Sequence, residues 1–391
     1  MVGLIKNEFN KLLLRKKILI TSIVFGILSI LVCGFIFLAY KINTKETQIE
    51  TQKIIINSYE ENLKNAQTEE EKEEFQSYLD QAKANLKIIE NSPSEEDSNW
   101  RSNVEETLNI LKEQLNNTPS NSSQKEMIRK QIIEYEELLN SNIKPMSPPS
   151  PKGLYVINYL LYFLGGLVAT IIIIIIASDM VSSECTPPTL KMLLTRPVSR
   201  GKVLASKFIT AFIASCIVII GIEIITSVIM GVIFGFGDPS YPMAVGTDYK
   251  ITTLNAMVGK EAIAVFNSSY LTTMISFIFK SLLLQALYIL AATSFFLMIS
   301  TLLNSSTTSI TISIVLLVAT KILDFISYVR PALPFIFATY GDTGSVLNGE
   351  LKANTLSSLP SPTFAVVILI LWTAIPYVIA HLNFTKKDIL V

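Results

Sequence analysis

Histidine and cysteine are scarce in this sequence, and no serine or carboxylate set forms an evident catalytic cluster. There is one histidine, His381, so a histidine-based metal site or a Ser-His-Asp arrangement has no members to draw on. Cys33, Cys185 and Cys216 lie far apart. Two fall in apolar runs and one among polar residues, which implies no disulfide framework. Gly201–Lys202 is followed by Val203, with no glycine at the spacing a phosphate loop requires. Without that backbone nest and its metal-holding hydroxyl, the chain cannot by itself bind and hydrolyse ATP in the P-loop manner. The H-E-x-x-H, C-x-x-C and G-x-S-x-G patterns are absent too. The expectation is a protein that is no enzyme and holds no cofactor or metal of its own.

The ionisable residues that stand out lie in or beside apolar runs. Glu223 sits in the middle of one. A carboxylate there is costly, so it is expected to face a bundle interior, a partner subunit or water. It would line a pathway, pair across a dimer or stay protonated. Asp179 falls at the inner end of another run, and Lys280 is read as the outer edge of a third. Lys321 and Asp324, three apart, suit a local ion pair or snorkelling.

The most informative polar stretch is Ser178–Lys207, SDMVSSECTPPTLKMLLTRPVSRGKVLASK. Thr186 is placed to cap a helix whose first turn holds Pro187 and Pro188, where missing N–H groups cost little. Leu190, Leu193 and Leu194 give that helix an apolar face. Lys191 and Arg196 flank it, Pro197 ends it, and Ser199 is placed to cap the next helix. The spacing predicts a short amphipathic helix parallel to the membrane, a shape that fits a groove on a cytoplasmic partner.

The elements that would position these residues are membrane spans. Half the residues are hydrophobic and 16% are charged, with mean hydropathy +0.46, a balance that points to the bilayer. A helix needs about 20 apolar residues to cross. Six runs qualify: 18–40, 154–177, 204–234, 281–303, 307–328 and 363–382. The fold class expected is all-α, a polytopic membrane protein with six transmembrane helices. The N-terminal run is too long and lacks the cleavage site of a signal peptide. Residues 1–17 read as an interfacial amphipathic helix, with Leu4, Ile5, Phe9, Leu12 and Leu13 on one face. The basic residues Lys6, Lys11, Arg15, Lys16, Lys17, then Lys191, Arg196, Arg200, Lys202, Lys207, then Lys386 and Lys387, all fall on one side after six crossings. By the positive-inside rule that side is the cytoplasm. Segments 41–153, 235–280 and 329–362 then face outward, the last two as re-entrant or interfacial helices. The third run is long enough to bend near Gly221 and Gly231.

Residues 41–153 change character, becoming rich in Glu, Lys, Gln and Asn. Their apolar positions recur at steps of three and four: Ile56, Tyr59, Leu63, Ala66; Phe75, Leu79, Ala82, Leu86, Ile89; Val104, Leu108, Leu111, Leu115; Ile128, Ile132, Tyr135, Leu139. Each stripe is too narrow to be buried alone, so an extracellular helical coiled-coil domain is expected. Pro93 and Pro119 separate its helices. Thr68-x-x-Glu71, Ser102-x-x-Glu105 and Ser123-x-x-Glu126 have the capping-box pattern. Lys144–Pro151 reads as a stiff return to the membrane.

The loop after the second run resembles that of the membrane subunits of ABC transporters of the exporter type 2 class. In that family a Ser-x-Glu stretch is followed by Gly-Thr-Leu, Leu-Leu and Pro-[Val/Ile]-Ser-Arg. This chain carries Ser182, Ser183–Glu184, Thr189–Leu190, Leu193–Leu194 and Pro197–Val198–Ser199–Arg200, with Pro188 where the family has glycine. The tail Phe384-x-Lys386–Lys387–Asp388–Ile389 is similar to the family's ending. The resemblance leaves out 41–153, which reads as an insertion.

It implies a permease whose coupling loop, 178–203, meets a cytoplasmic ABC ATPase through Glu184, Thr189, Leu190, Leu193, Leu194, Arg196 and Arg200. The ATPase would bind ATP and Mg. It also implies a second membrane subunit, identical or related, export of a hydrophobic or amphipathic substrate (peptide antibiotic, drug or lipid), and contact with membrane lipids but not nucleic acid. The alternative is a mechanotransmitter whose outer coil acts on a cell-envelope partner. The amino-acid usage suggests a bacterial cell membrane, with both termini cytoplasmic.

Overall fold

The computed structural model describes residues 1–91, 99–118, 123–146, 148–184, 199–255 and 259–386. The proposed coupling helix, 186–197, lies outside them, and with it Thr189, Leu190, Leu193, Leu194 and Arg196. Among the described residues, six helical stretches are long and apolar enough to cross a membrane. They are α2 (Lys17–Ile42), the stretch holding α8 (Leu167–Ala177), α9 (Arg200–Phe234), α10 (Met274–Leu302), α11 (Ser306–Leu323) and α14 (Pro362–Lys386). A short α1 (Val2–Leu14) precedes them and is offset from α2 by Lys16 in the left-handed conformation.

The second run is not one helix. α7 (Gly153–Leu164) and α8 are separated at Gly165–Gly166. A Cβ on Gly165 would lie 2.9 Å from the Gly341 carbonyl oxygen, and a Cβ on Gly341 would lie 2.6 Å from the Gly166 Cα, so the close approach requires glycine at both positions. The break therefore admits the segment between α11 and α14 into the bundle. That segment forms 3-10 turns at Arg330–Phe335 and Phe337–Gly341, then α12 (Thr343–Asn348) and α13 (Glu350–Asn354). Phe337 packs against Phe295, Phe296 and Tyr288 of α10.

α10 starts earlier than the 281–303 run. Thr273 Oγ1 caps it by accepting from the Ser276 amide at 3.4 Å. Lys280 is thus inside the helix, on its exposed side. Lys321 and Asp324 pair at 3.5 Å, both partly exposed, a geometry worth at most about 1 kcal/mol.

Residues 235–273 depart from the all-α expectation. Two antiparallel ribbons form there, β1 (Pro242–Val245) with β4 (Tyr270–Thr273), and β2 (Tyr249–Asn255) with β3 (Gly259–Ala264). The stretch Tyr249-Lys-Ile-Thr-Thr is rich in β-branched residues and too polar to insert, so strand pairing is its way to satisfy its backbone. β4 runs directly into α10.

Between α2 and α7 stand α3 (Lys45–Asn65), α4 (Glu69–Asn91), α5 (Trp100–Asn117) and α6 (Ser123–Asn140). Ile56, Leu79 and Ala82 close one small core, with Tyr59, Leu63 and Leu86 around it. Val104, Leu108, Leu111, Ile128 and Ile132 close another. These are the stripe residues read from the sequence. Gln52 bonds to Ala82, and seven residues on Tyr59 meets Tyr78, so α3 and α4 run antiparallel.

Thr68 and Glu71 form the reciprocal capping box, each side chain accepting from the other's amide at 3.2 Å. The other two boxes do not form. α5 starts at Trp100, which leaves Ser102 inside it. Ser123 and Glu126 spend their oxygens on the ribbon segment, accepting from the amides of Ala264, Asn267 and Ser269.

Candidate coupling site

Glu184 closes a 3-10 turn (Ser182–Glu184) that follows α8. Its Oε1 accepts from Lys11 Nζ and from Lys207 Nζ, each at 2.8 Å. The same two ammonium groups reach Glu8, Lys11 to Oε1 and Lys207 to Oε2, again at 2.8 Å. Two carboxylates and two ammonium groups thus alternate in a closed ring. Lys207 has no exposed surface, and Glu8 and Glu184 are each 4% exposed. Alternation is what makes the burial bearable, because each charge has an opposite charge on both sides. Lys11 is the more open member. Burial works to lower its affinity for the proton, but the hydrogen bonds and attraction of Glu184 and Glu8 outweigh burial and hold it above its ordinary value.

The four side chains come from three elements far apart in the sequence. Glu8 and Lys11 are one turn apart on α1, Lys207 lies two turns into α9, and Glu184 ends the 3-10 turn. Glu8 belongs to the buried stripe of α1 with Leu12, while Leu13 points out. The apolar face read from the sequence, which includes Leu12 and Leu13, gives no role to Glu8.

The turn before Glu184 is held from other sides as well. Ser300 Oγ accepts from the amides of Val181 and Ser182 at 3.0 and 3.1 Å. Ser309 Oγ donates to the Ser178 carbonyl, and Arg15 donates to Ser183 Oγ at 2.9 Å. Asp179 pairs with Lys17 and accepts from Ser306 Oγ at 3.1 Å. On the far side of residues 185–198, Arg200 donates to the Thr385 carbonyl at 3.3 Å. A Cβ on Gly201 would lie 2.6 Å from the His381 ring. Both ends of the loop are therefore tied to the bundle, one to α1, α9, α10 and α11, the other to α14.

Glu223 is apart from this ring. It lies fully buried between α9 and α10 and accepts from Gln285 Nε2 at 2.9 Å. The structure places it in the bundle interior, one of the settings the sequence allowed.

Residues 2–389 match the family described as ABC-2 family transporter protein. The chain belongs to the ABC-2 transporter family. It is also 26% identical over 302 residues to an uncharacterized protein, YhcI, of Bacillus subtilis (strain 168), an alignment covering 76% of this chain and 87% of that relative. As an ABC-2 permease it is a multi-pass membrane subunit without ATPase activity and without a cofactor of its own. ABC permeases pair with ATPase subunits, and the family implies that pairing here. The bacterial relative agrees with the source suggested by composition.

Proposed function

We propose that this ABC-2 permease exports a hydrophobic or amphipathic molecule, such as a peptide antibiotic, drug or lipid, from a bacterial cell, driven by ATP hydrolysed in a cytoplasmic partner. Residues 185–198 are the ATPase contact, with Glu184 and Arg200 anchoring its two ends and Thr189, Leu190, Leu193, Leu194 and Arg196 on it. The observation that carries this reading is the buried ring of Glu8, Lys11, Glu184 and Lys207. A loop that must deliver force needs a rigid root, and four charges locked to two neighbouring helices supply one. The positive-inside rule supports a cytoplasmic α1, loop and C-terminal end of α14. α3–α6 and the ribbons then form the extracellular domain, with the stripes as its coiled-coil seams. A second membrane subunit, identical or related, completes the pathway, beside which Glu223 lies.

The test is a charge placed on the loop's apolar face. Co-expressed with its ATPase, the chain carrying Leu190→Asp and Leu193→Asp should lose at least about 90% of the co-purifying ATPase, since burying two unpaired carboxylates costs several kcal/mol. It should still elute as a folded species. Full retention of the ATPase would sink the assignment.

One arrangement favours the mechanotransmitter as a second reading. α10 runs from β4 to Ser300, so a single rigid rod joins the ribbon on which α6 docks to the turn that precedes Glu184. In that reading the loop drives α3–α6 against a cell-envelope partner. Removing residues 46–143 separates the two. Substrate efflux survives the deletion if α3–α6 is accessory, and all function is lost if α3–α6 is the output.

A further inference from the structure

A cavity of about 390 Å³ opens on the side of the bundle between α2, α7, α10 and α12. Its mouth is aromatic. Phe35 and Phe163 meet edge-to-face with ring centroids 6.4 Å apart, and Phe35, Tyr162 and Phe163 are all exposed on helices read as facing hydrocarbon. Access is therefore sideways, from the bilayer. Aromatic side chains at such a mouth offer both apolar area and ring faces that attract cations.

The inner wall has one polarity. Asp342, Asn158, Ser345, Asn348 and the exposed Glu350 line it, and among the described residues no lysine, arginine or histidine does. Asp342 is at the depth of the glycine break, its amide 4.0 Å from where a Cβ on Gly166 would stand. α7 rises about 18 Å from Gly153 to that break, so Asp342 stands beside the helix end that faces away from the ribbons. Its Oδ1 caps α12 through the Ser345 amide at 3.2 Å, and no ion pair forms with it among the described residues. Glu350 is likewise without an ion pair. Asn158 donates to Met274 Sδ at 3.0 Å, yet its Oδ1, like that of Asn348, has no hydrogen-bond partner. The last torsion of an asparagine is soft, so both oxygens turn toward a donor at little cost. Two carboxylates and two spare amide oxygens are acceptors in search of a cationic donor. Negative charge and spare acceptors on one wall, facing an aromatic mouth, complement a cationic head joined to an apolar chain.

We propose that this cavity binds a cationic amphiphile, an ammonium head on one apolar chain. The head sits by Asp342 among the asparagine oxygens, and the chain runs out past Phe35 and Phe163. At about 30 Å³ per water-sized group, the volume holds roughly a dozen heavy atoms, within the range of small-molecule sites. The assignment does not depend on which molecule the permease exports or on the ATPase contact.

The experiment uses the full chain in phosphatidylcholine nanodiscs and a photoactivatable dodecylamine carrying a diazirine on its chain. Cross-linked peptides are mapped by mass spectrometry. Labelling is expected on the peptides holding Phe35 and Tyr159–Phe163, competed by dodecylamine and not by dodecanol or dodecyl sulfate. Asp342→Asn keeps the cap, because asparagine caps helices as well as aspartate, and should weaken labelling about tenfold. Ala39→Trp fills the cavity and should abolish it. The competition series on the unaltered protein decides the matter even if a variant fails to fold. Equal competition by amine, alcohol and sulfate overturns the cationic head, and labelling spread evenly over all spans overturns the site. Competition by added lipid extract but not by the exported substrate would assign the site to a resident lipid, and the reverse would place it on the export path. Either result upholds it.

Discussion

Lys207→Met is expected to lower the unfolding free energy of the permease by about 3–5 kcal/mol, the usual cost of removing one partner from a buried charge pair. Lys207 is the fully buried cation of the ring, and both Glu8 and Glu184 accept from it at 2.8 Å. Without it, two buried carboxylates depend on Lys11 alone, whose side chain is 33% exposed. The ring as a whole is not the source of this sum. Replacing all four members with apolar residues of similar volume would cost far less, because desolvation offsets most of the attraction. The double variant Lys207→Met with Glu184→Gln should therefore recover part of the loss, a coupling of about 1 kcal/mol or more in a double-mutant cycle. Unfolding by SDS in mixed micelles measures both. Amides of residues 181–184 should also exchange faster, since the turn loses its anchor. A loss below about 1 kcal/mol would mean that the ring is not the root of the loop.

The reach of local patterns explains what the sequence alone made legible. Five of the six spans follow from apolar length, which depends on neighbours within about 20 residues. So do the stripes of α3–α6, where Ile56, Leu79, Val104 and Ile132 are buried. The ring was not legible, because Glu184 and Lys207 are joined to Glu8 and Lys11 only by folding. Lys207 was read as one more inside charge, and Glu8 had no pattern at all. The signal for the break in the second span was present, two adjacent glycines in a run otherwise free of them, but its reason is Gly341, far along the chain. The ribbons were missed for another cause. Strands of four to seven residues between two long apolar helices leave little period to count. The capping pattern at Ser123 and Glu126 was a true signal read too locally, because those oxygens serve a partner segment.

That last misreading identifies the joint between α3–α6 and the rest of the protein. Glu126 is 1% exposed. Oε2 accepts from the Asn267 amide at 2.6 Å, and Oε1 from the Ser269 amide at 2.9 Å and from Arg129 at 3.2 Å. Arg129 itself donates to the Ser269 carbonyl at 3.1 Å. Eight residues further on, Glu134 accepts from the Ala244 amide at 2.6 Å. α6 thus grips the ribbon at two points along one face. Hydrogen bonds to a charged acceptor contribute about 1.5–3 kcal/mol each, and Glu126→Ala would strand two amides and an arginine together. The substitution should raise hydrogen exchange at 264–270 by about 100-fold, the equivalent of about 3 kcal/mol, while the amides of α10 keep their protection. Glu126→Gln keeps one acceptor oxygen and should fall between. The functional consequence then separates the two readings. An exporter with an accessory outer domain loses little activity when the grip opens. A mechanotransmitter loses its output although its ATPase still turns over, because the force that reaches β4 along α10 no longer passes into α6.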